Sequence, residues 1–184
     1  NLLEICANAT FKVGKITKKI AKRKPPAPFI TSSLQQEAST KFRFAPKSTM
    51  QLAQKLYESG YITYMRTDGT NISKEAINDF RKSIENNYGK KYLPDNPNTY
   101  TGKKAKNAQE AHEAIRPTDI RKKPNDLKKY LSTDQLKLYD LIWSRALSSQ
   151  MSPAEFDRSS IQIVSNDGLI SFNANGSIMK FDGF

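Results

Sequence analysis

Residues 48–69 read STMQLAQKLYESGYITYMRTDG. Ser48 with Gln51 has the spacing of a capping box, which predicts a helix opening at this point. Met50, Ala53, Leu56 and Tyr57 fall on one face of that helix. Gly60 ends it, as a residue able to take the left-handed conformation. Directly after it stands "YITYMRTDG", where two tyrosines, an arginine and an aspartate crowd a short extended stretch. Alternate residues of an extended chain share a face, so Tyr64 and Arg66 are expected on one side.

Toward the N-terminus, Ser33 with Gln36 repeats the capping-box spacing and is expected to open a preceding helix over "LQQEASTKF". Pro46 is expected to break the chain between the two. Two short helices joined by a tight turn resemble a helix-turn-helix. On the other side, Ser73 caps a third helix, with Ile77, Phe80, Ile84 and Tyr88 as its buried stripe. Residues 89–108 are polar, with Pro94, Pro97 and Gly102, and read as a long loop. A last helix is expected over about 133–149, with Leu136, Tyr139, Trp143 and Ala146 facing the core.

The two ends read differently. Near the start, a short apolar run precedes Phe11 and Val13 at strand alternation. The basic residues Lys12, Lys15, Lys18, Lys19, Lys22, Arg23 and Lys24 come next, and no acid lies between Glu4 and Glu37. Such a run suits a solvated strand edge, where lysines block edge pairing, and it equally suits phosphate contact. "KPPAPF" then ends the element. After the last helix, "RSSIQIVS", "LISFNA" and "SIMKF" alternate as strands, with "NDG" and "NANG" as turns. The expected class is α+β, mainly α. A helical unit over 31–148 is inserted into a β-rich domain supplied by 1–30 and 149–184.

Composition narrows the chemistry. The 184 residues carry 30 Lys+Arg against 18 Asp+Glu, a net charge of +12, which favours a polyanion such as nucleic acid as partner. One cysteine, Cys6, leaves no internal disulfide or Cys-rich zinc site. No run is apolar enough to span a membrane, and no signal-peptide pattern is visible. There is no initiator Met, and "MKFDGF" reads as mid-strand, so the chain is expected to be cut from a longer protein. No Walker loop and no Asp-x-Asp pair is present. The chain has one histidine, too few for a paired-His metal site.

The chemistry-bearing residues left are Tyr, Arg, His, Asp and Glu, a set suited to phosphodiester transesterification. A phenol can attack phosphorus as its proton is removed. The charge that develops on the phosphoryl oxygens can be met by a guanidinium two residues away. In "AHEAIRP", His112 and Arg116 are four apart and share a face if that piece is helical. His112 can give a proton or bind phosphate, and Arg116 can clamp a second oxygen. The plain alternatives are that most tyrosines pack, that a lone histidine is a satisfied one, and that Arg-Thr-Asp is a turn with a local ion pair.

"PPAPFITSSLQQEAS", "QKLYESGYITYMRTDG" and "AQEAHEAIRPTD", in this order, closely resemble the central part of bacterial type IA DNA topoisomerases. "RKPPAPF" and "MKFDGF" also look like family segments, so the resemblance covers nearly the whole chain. It implies a toroid of four domains. This chain would supply the helical, winged-helix-like (CAP-like) catalytic domain and parts of the β-rich arch. It implies Tyr64 as the nucleophile forming a 5′-phosphotyrosine, and Arg66 as the group placing the scissile phosphate. It makes His112 catalytic, oriented by Asp68, with Thr67, Glu113 and Arg116 in support. DNA contacts would come from Arg66, Ser32, Ser33, Gln36, Arg43 and Lys47. Mg²⁺ would be held by an acidic (Toprim) domain absent from this chain. The activity implied is ATP-independent relaxation of negatively supercoiled DNA through its single-stranded regions. The setting implied is the cytoplasm, at the nucleoid. Gly69 departs from the family, where a serine is common.

Two other classes fit part of the pattern. A non-catalytic helix-turn-helix DNA-binding module explains the charge and the helices over 33–59, and leaves the tyrosine, arginine and histidine unexplained. A tyrosine recombinase also uses these residues, but its nucleophile comes after the His and Arg, whereas Tyr64 precedes His112.

Overall fold

The structure is a computed structural model, which describes residues 2–100 and 112–184. Its described elements are five α-helices and three strands: α1 (Leu2–Asn8), β1 (Phe11–Arg23), α2 (Thr31–Phe42), α3 (Pro46–Glu58), α4 (Lys74–Tyr88), α5 (Thr133–Ser149), β2 (Ala154–Ser165) and β3 (Ser171–Phe181). Short 3-10 turns lie at Lys90–Tyr92 and Pro124–Leu127. The class is α+β, as the sequence predicts. The chain forms two compact units: Asn1–Lys24 with Pro153–Gly183, and Pro25–Ser152 with Phe184.

The first unit is an antiparallel sheet in the order β1-β2-β3. β1 is therefore an edge strand, and its lysines lie on exposed chain, which suits the edge-blocking reading. The register of β1 on β2 shifts between Val13 and Ile16. The turn after β2 takes Gly168 at φ 77°, as "NDG" predicts. "NANG" is not a turn. Asn173, Ala174, Asn175 and Gly176 all sit in β3, paired with β2 from Gln162 to Ser159. Ladder pairing there overrides the local turn preference of Asn and Gly. β2 also begins earlier than expected, at Ala154.

The second unit holds the helices around α5, which runs Thr133–Ser149 as expected. Its Ser132 hydroxyl accepts the Gln135 N–H, and the Gln135 side chain accepts the Ser132 N–H, a true capping box. Leu138, Tyr139 and Ile142 of α5 pack with Phe29, Leu34, Ala53, Leu56, Ile62 and Met65 in one buried cluster. Ala146 and Leu147 pack with Ala76, Phe80 and Ile84 of α4 in a second. Each fully buried side chain of the larger kind contributes about 1.5–3 kcal/mol. Trp143 is only partly buried at the seam and donates its indole N–H to the Ile120 carbonyl (2.9 Å). The α4 stripe is Ala76, Phe80 and Ile84, while Tyr88 is 44% exposed.

Both expected caps near the site differ. α2 starts at Thr31, and Ser33 lies inside its first turn, accepting the Ile30 N–H (3.0 Å). α3 starts at Pro46, which occupies the first helical position after Ala45. Proline has the right φ for that position and lacks only an N–H that would be unpaired there. So Pro46 begins a helix, and Ser48 and Gln51 lie within it. Gly60 has φ 72°, and its N–H reaches the Tyr57 carbonyl (2.8 Å), a helix stop of the predicted kind.

Candidate active site

After Gly60 the chain crosses the helical unit as a bent, non-helical stretch with one bridge, at Ile62. Ile62, Met65 and Thr67 are buried, while Tyr64, Arg66 and Asp68 are exposed. From Tyr64 to Asp68 the alternation is strict. It leaves a phenol, a guanidinium and a carboxylate facing solvent.

Two braces fix this ribbon. The first comes from residues 112–118, which are extended and not helical. Ile62 pairs with Pro117, Phe29 with Ile115 and Asn71 with Glu113. Thr63 donates its N–H to the Arg116 carbonyl (2.9 Å) and its hydroxyl to the Ala114 carbonyl (2.7 Å), and accepts the Arg116 N–H (3.0 Å). Three neighbouring stretches of chain claim these backbone groups, which is why the segment does not coil into a helix. The second brace is the start of α2. The Thr31 hydroxyl lies within hydrogen-bond distance of the carbonyls of Met65 (2.8 Å) and Thr67 (3.1 Å) and accepts the Thr67 N–H (2.9 Å). The Thr31 N–H donates to the Thr67 carbonyl (3.0 Å). Sequence reasoning missed both Thr31 and Thr63, because a threonine in a ribbon carries no mark of a distant partner.

Tyr64 is half exposed, and its ring meets Tyr57 edge-on at 5.3 Å between centroids. Tyr57 closes α3 and supports the ring from beneath. Tyr61 turns the other way, onto the buried Tyr139 at 6.1 Å. Burial raises the Tyr139 phenol pKa, and Asp119 adds to this. Its hydroxyl is spent on the Lys122 carbonyl (2.7 Å).

Arg66 stands between two open grooves. One, of about 490 Å³, is lined by Thr31, Ser32, Gln35, Arg66, Asp68 and His112. The other, of about 650 Å³, runs along α3 and includes Lys47. In the first, His112 Nδ1 lies 3.5 Å from Asp68 Oδ1, and both side chains are largely exposed. Gly69 makes this approach possible: a Cβ there would fall 1.8 Å from the His112 carbonyl oxygen.

Thr67 is buried, and its hydroxyl accepts the Gly69 N–H (3.0 Å). Arg116 is tied inward. Its side chain is 12% exposed, and the guanidinium donates to Glu113 Oε1 (2.7 Å) and the Pro117 carbonyl (2.9 Å). Both bonds stay within the 112–118 segment and brace it. Burial alone would raise the Glu113 pKa. The Arg116 hydrogen bond and charge and the Ser73 N–H (2.9 Å) outweigh that and bring it below the ordinary value. On α2, Ser32 is exposed at the groove, Ser33 is engaged with Ile30, and Gln35 rather than Gln36 lines the groove. Arg43 caps α2 with φ 58° and lines neither groove. Among the described residues no three His, Cys, Asp or Glu side chains come together to hold a metal ion. No helix there is long and apolar enough to cross a membrane.

Known proteins are similar to this chain in sequence and in fold. A family model described as DNA topoisomerase matches residues 1–184. DNA topoisomerase 1 of Rickettsia typhi is 54% identical over 182 residues, covering 95% of this chain and 23% of its own. That of Escherichia coli is 47% identical, covering 99% of this chain and 20% of its own. The full-length topoisomerase I structure from Thermotoga maritima superposes with a TM-score of 0.84 at 38% identity, covering 99% of this chain and 30% of that one. The chain belongs to the bacterial type IA DNA topoisomerase family. It spans between a fifth and a quarter of the length of these two curated relatives.

Proposed function

We propose that this chain is the part of a type IA DNA topoisomerase that carries the nucleophile, and that Tyr64 is that nucleophile. The observation that carries this is the outward alternation of Tyr64, Arg66 and Asp68 on a ribbon braced from both sides. Single-stranded DNA from an underwound region lies across the two grooves. The Tyr64 phenolic oxygen attacks phosphorus and loses its proton. The bond from phosphorus to the 3′ oxygen breaks, and that oxygen leaves as a hydroxyl. A 5′-phosphotyrosine remains and keeps the phosphodiester energy, so no ATP is required. Arg66 meets the charge that develops on the phosphoryl oxygens. His112, held by Asp68, gives or takes a proton at the groove. Strand passage and reversal of the attack relax negative supercoils.

In this reading the helical unit is the catalytic domain and the sheet unit belongs to the β-rich arch. The helix pair α2–α3 plays the winged-helix part. Mg²⁺ would be held by an acidic domain elsewhere in the protein. The isolated chain is inactive, because cleavage is assembled across domains. The protein works in the cytoplasm, at the nucleoid.

The test uses the full-length protein with Mg²⁺ and a 3′-labelled single-stranded oligonucleotide. After denaturation, label should travel with the wild type and not with Tyr64→Phe. Label on both would move the chemistry to Tyr57 or Tyr61. Label on neither, with binding kept, would leave a DNA-binding module only.

A further inference from the structure

Beside Lys47 and Arg66, the second groove holds three polar side chains not yet assigned a part, Gln51, Gln54 and Lys55. Lys47, Gln51 and Lys55 recur every fourth residue along the exposed face of α3, and they share the groove with Gln54 and Arg66. Residues spaced by four form one row on a helix. Lys47 and Lys55 are about 12 Å apart along the axis at 1.5 Å per residue, room for two separate phosphates. Among the described residues neither lysine has an ion-pair partner. The groove's one carboxylate, Glu58, accepts the Gln54 side-chain amide (2.7 Å).

Lys47 is also misplaced for stability. It sits in the first turn of α3, which has no acidic residue, where the helix dipole disfavours a cation. A bound polyanion would reverse that penalty. The row shares its groove with Arg66, and Tyr57, two residues beyond Lys55 on the same helix, meets the Tyr64 ring.

We propose that α3 is a strand track: the row Lys47–Gln51–Lys55 holds phosphates of the DNA strand flanking the scissile one and feeds it to Arg66 and Tyr64. Lys47 and Lys55 bind two phosphates, and Gln51, placed between them, donates to a sugar or base edge. This rests on the reading of the chain as a DNA-cleaving unit and adds the path of the strand.

The test is the salt dependence of binding between the 184-residue chain and a fluorescein-labelled single-stranded oligonucleotide, measured by anisotropy. Each phosphate contact on a single strand contributes about 0.7 to the slope of log K against log salt. Lys47→Ala with Lys55→Ala should lower the slope by about 1.4 and weaken binding at low salt on the order of ten-fold. Gln51→Ala should weaken binding and leave the slope alone. The control, Lys128→Ala with Lys129→Ala, removes two exposed lysines outside the groove and should change the slope little. All four lysines are exposed, so circular dichroism should find each variant folded. An unchanged slope in the Lys47/Lys55 variant overturns the track and leaves Tyr64 to the label-transfer assay. Equal falls in both pairs overturn it too, since the charge would then act diffusely. Failure of the wild-type chain to bind at low salt overturns it as well, and label transfer then decides the reading beneath it.

Discussion

Thr31 and Thr67 are tied to each other by backbone and hydroxyl together: Thr31 N–H to Thr67 O at 3.0 Å, Thr67 N–H to Thr31 Oγ1 at 2.9 Å, with the Thr31 hydroxyl also 2.8 Å from Met65 O. The start of α2 is thereby fastened to the ribbon between Arg66 and Asp68. Thr31→Val keeps the shape and removes the hydroxyl, leaving the Thr67 N–H without its acceptor. The expected loss is about 1–3 kcal/mol in thermal or denaturant unfolding. Thr31→Ser should restore most of it, because the oxygen returns.

Tyr57 supports Tyr64 by ring contact, not by a hydrogen bond. Such pairs are worth about 0.5–1.5 kcal/mol. In the full-length protein, Tyr57→Phe should leave the rate of adduct formation within about two-fold, whereas Tyr57→Ala should slow it roughly ten-fold through misplacement of the ring. Single-turnover cleavage of a labelled oligonucleotide would measure both. Equal rates in both variants would show that Tyr64 needs no such support.

Glu113 gives a pH signature. Its folded pKa lies below the unfolded value near 4.5. The stability it adds is therefore present above the unfolded value and is lost as pH falls through the folded one. Below that window the wild type should lose stability toward the level of Glu113→Gln. At pH 7 the variant leaves Arg116 without its acid, at a cost of about 1.5–3 kcal/mol. Unfolding curves across the acid range would show the two proteins converging, and parallel curves would refute the pairing.

Gly69 leaves no space for a side chain against the His112 carbonyl. Gly69→Ala must push the Asp68 and His112 backbones apart, at about 1–3 kcal/mol for a forced shift. Hydrogen exchange at Ala114, whose N–H donates to the Asn71 carbonyl (2.8 Å), should quicken if the two segments separate.

Much of this was legible in the sequence where the signal is local. The 3.6-residue period located α5 and α4, Gly60 marked a helix stop, and "NDG" marked a turn. The errors arise where distant partners decide. The start of α2 is capped by the ribbon rather than by its own serine, so Ser33 with Gln36 misled. Pro46 has two local meanings, break or first helical residue, and only the packing of α3 on α2 and α5 selects one. Residues 112–118 carry a helix-like spacing of His112 and Arg116, yet their N–H and C=O groups are claimed by Phe29, Thr63 and Asn71. At the site, the exposure of Tyr64 and Arg66 was readable from alternation. The inward turn of Arg116 was not, since nothing in "AHEAIRP" shows that Glu113 will be half-buried beside it. The stretch 101–108 of the expected long loop lies outside the described residues.

The pairing of Arg23 with Ala154 across the β1–β2 ladder bears on how such a chain could arise and be engineered. The 128-residue helical unit, Pro25–Ser152, falls in the chain between the two partners of that one rung. Closing a disordered loop of that length would cost several kcal/mol of chain entropy. A folded insert whose ends already lie side by side imposes almost none of it on its host. Replacing the insert by a two-residue hairpin turn would leave the β1–β2 ladder able to form, and the same insert could be grafted between the strands of another hairpin without disturbing its register.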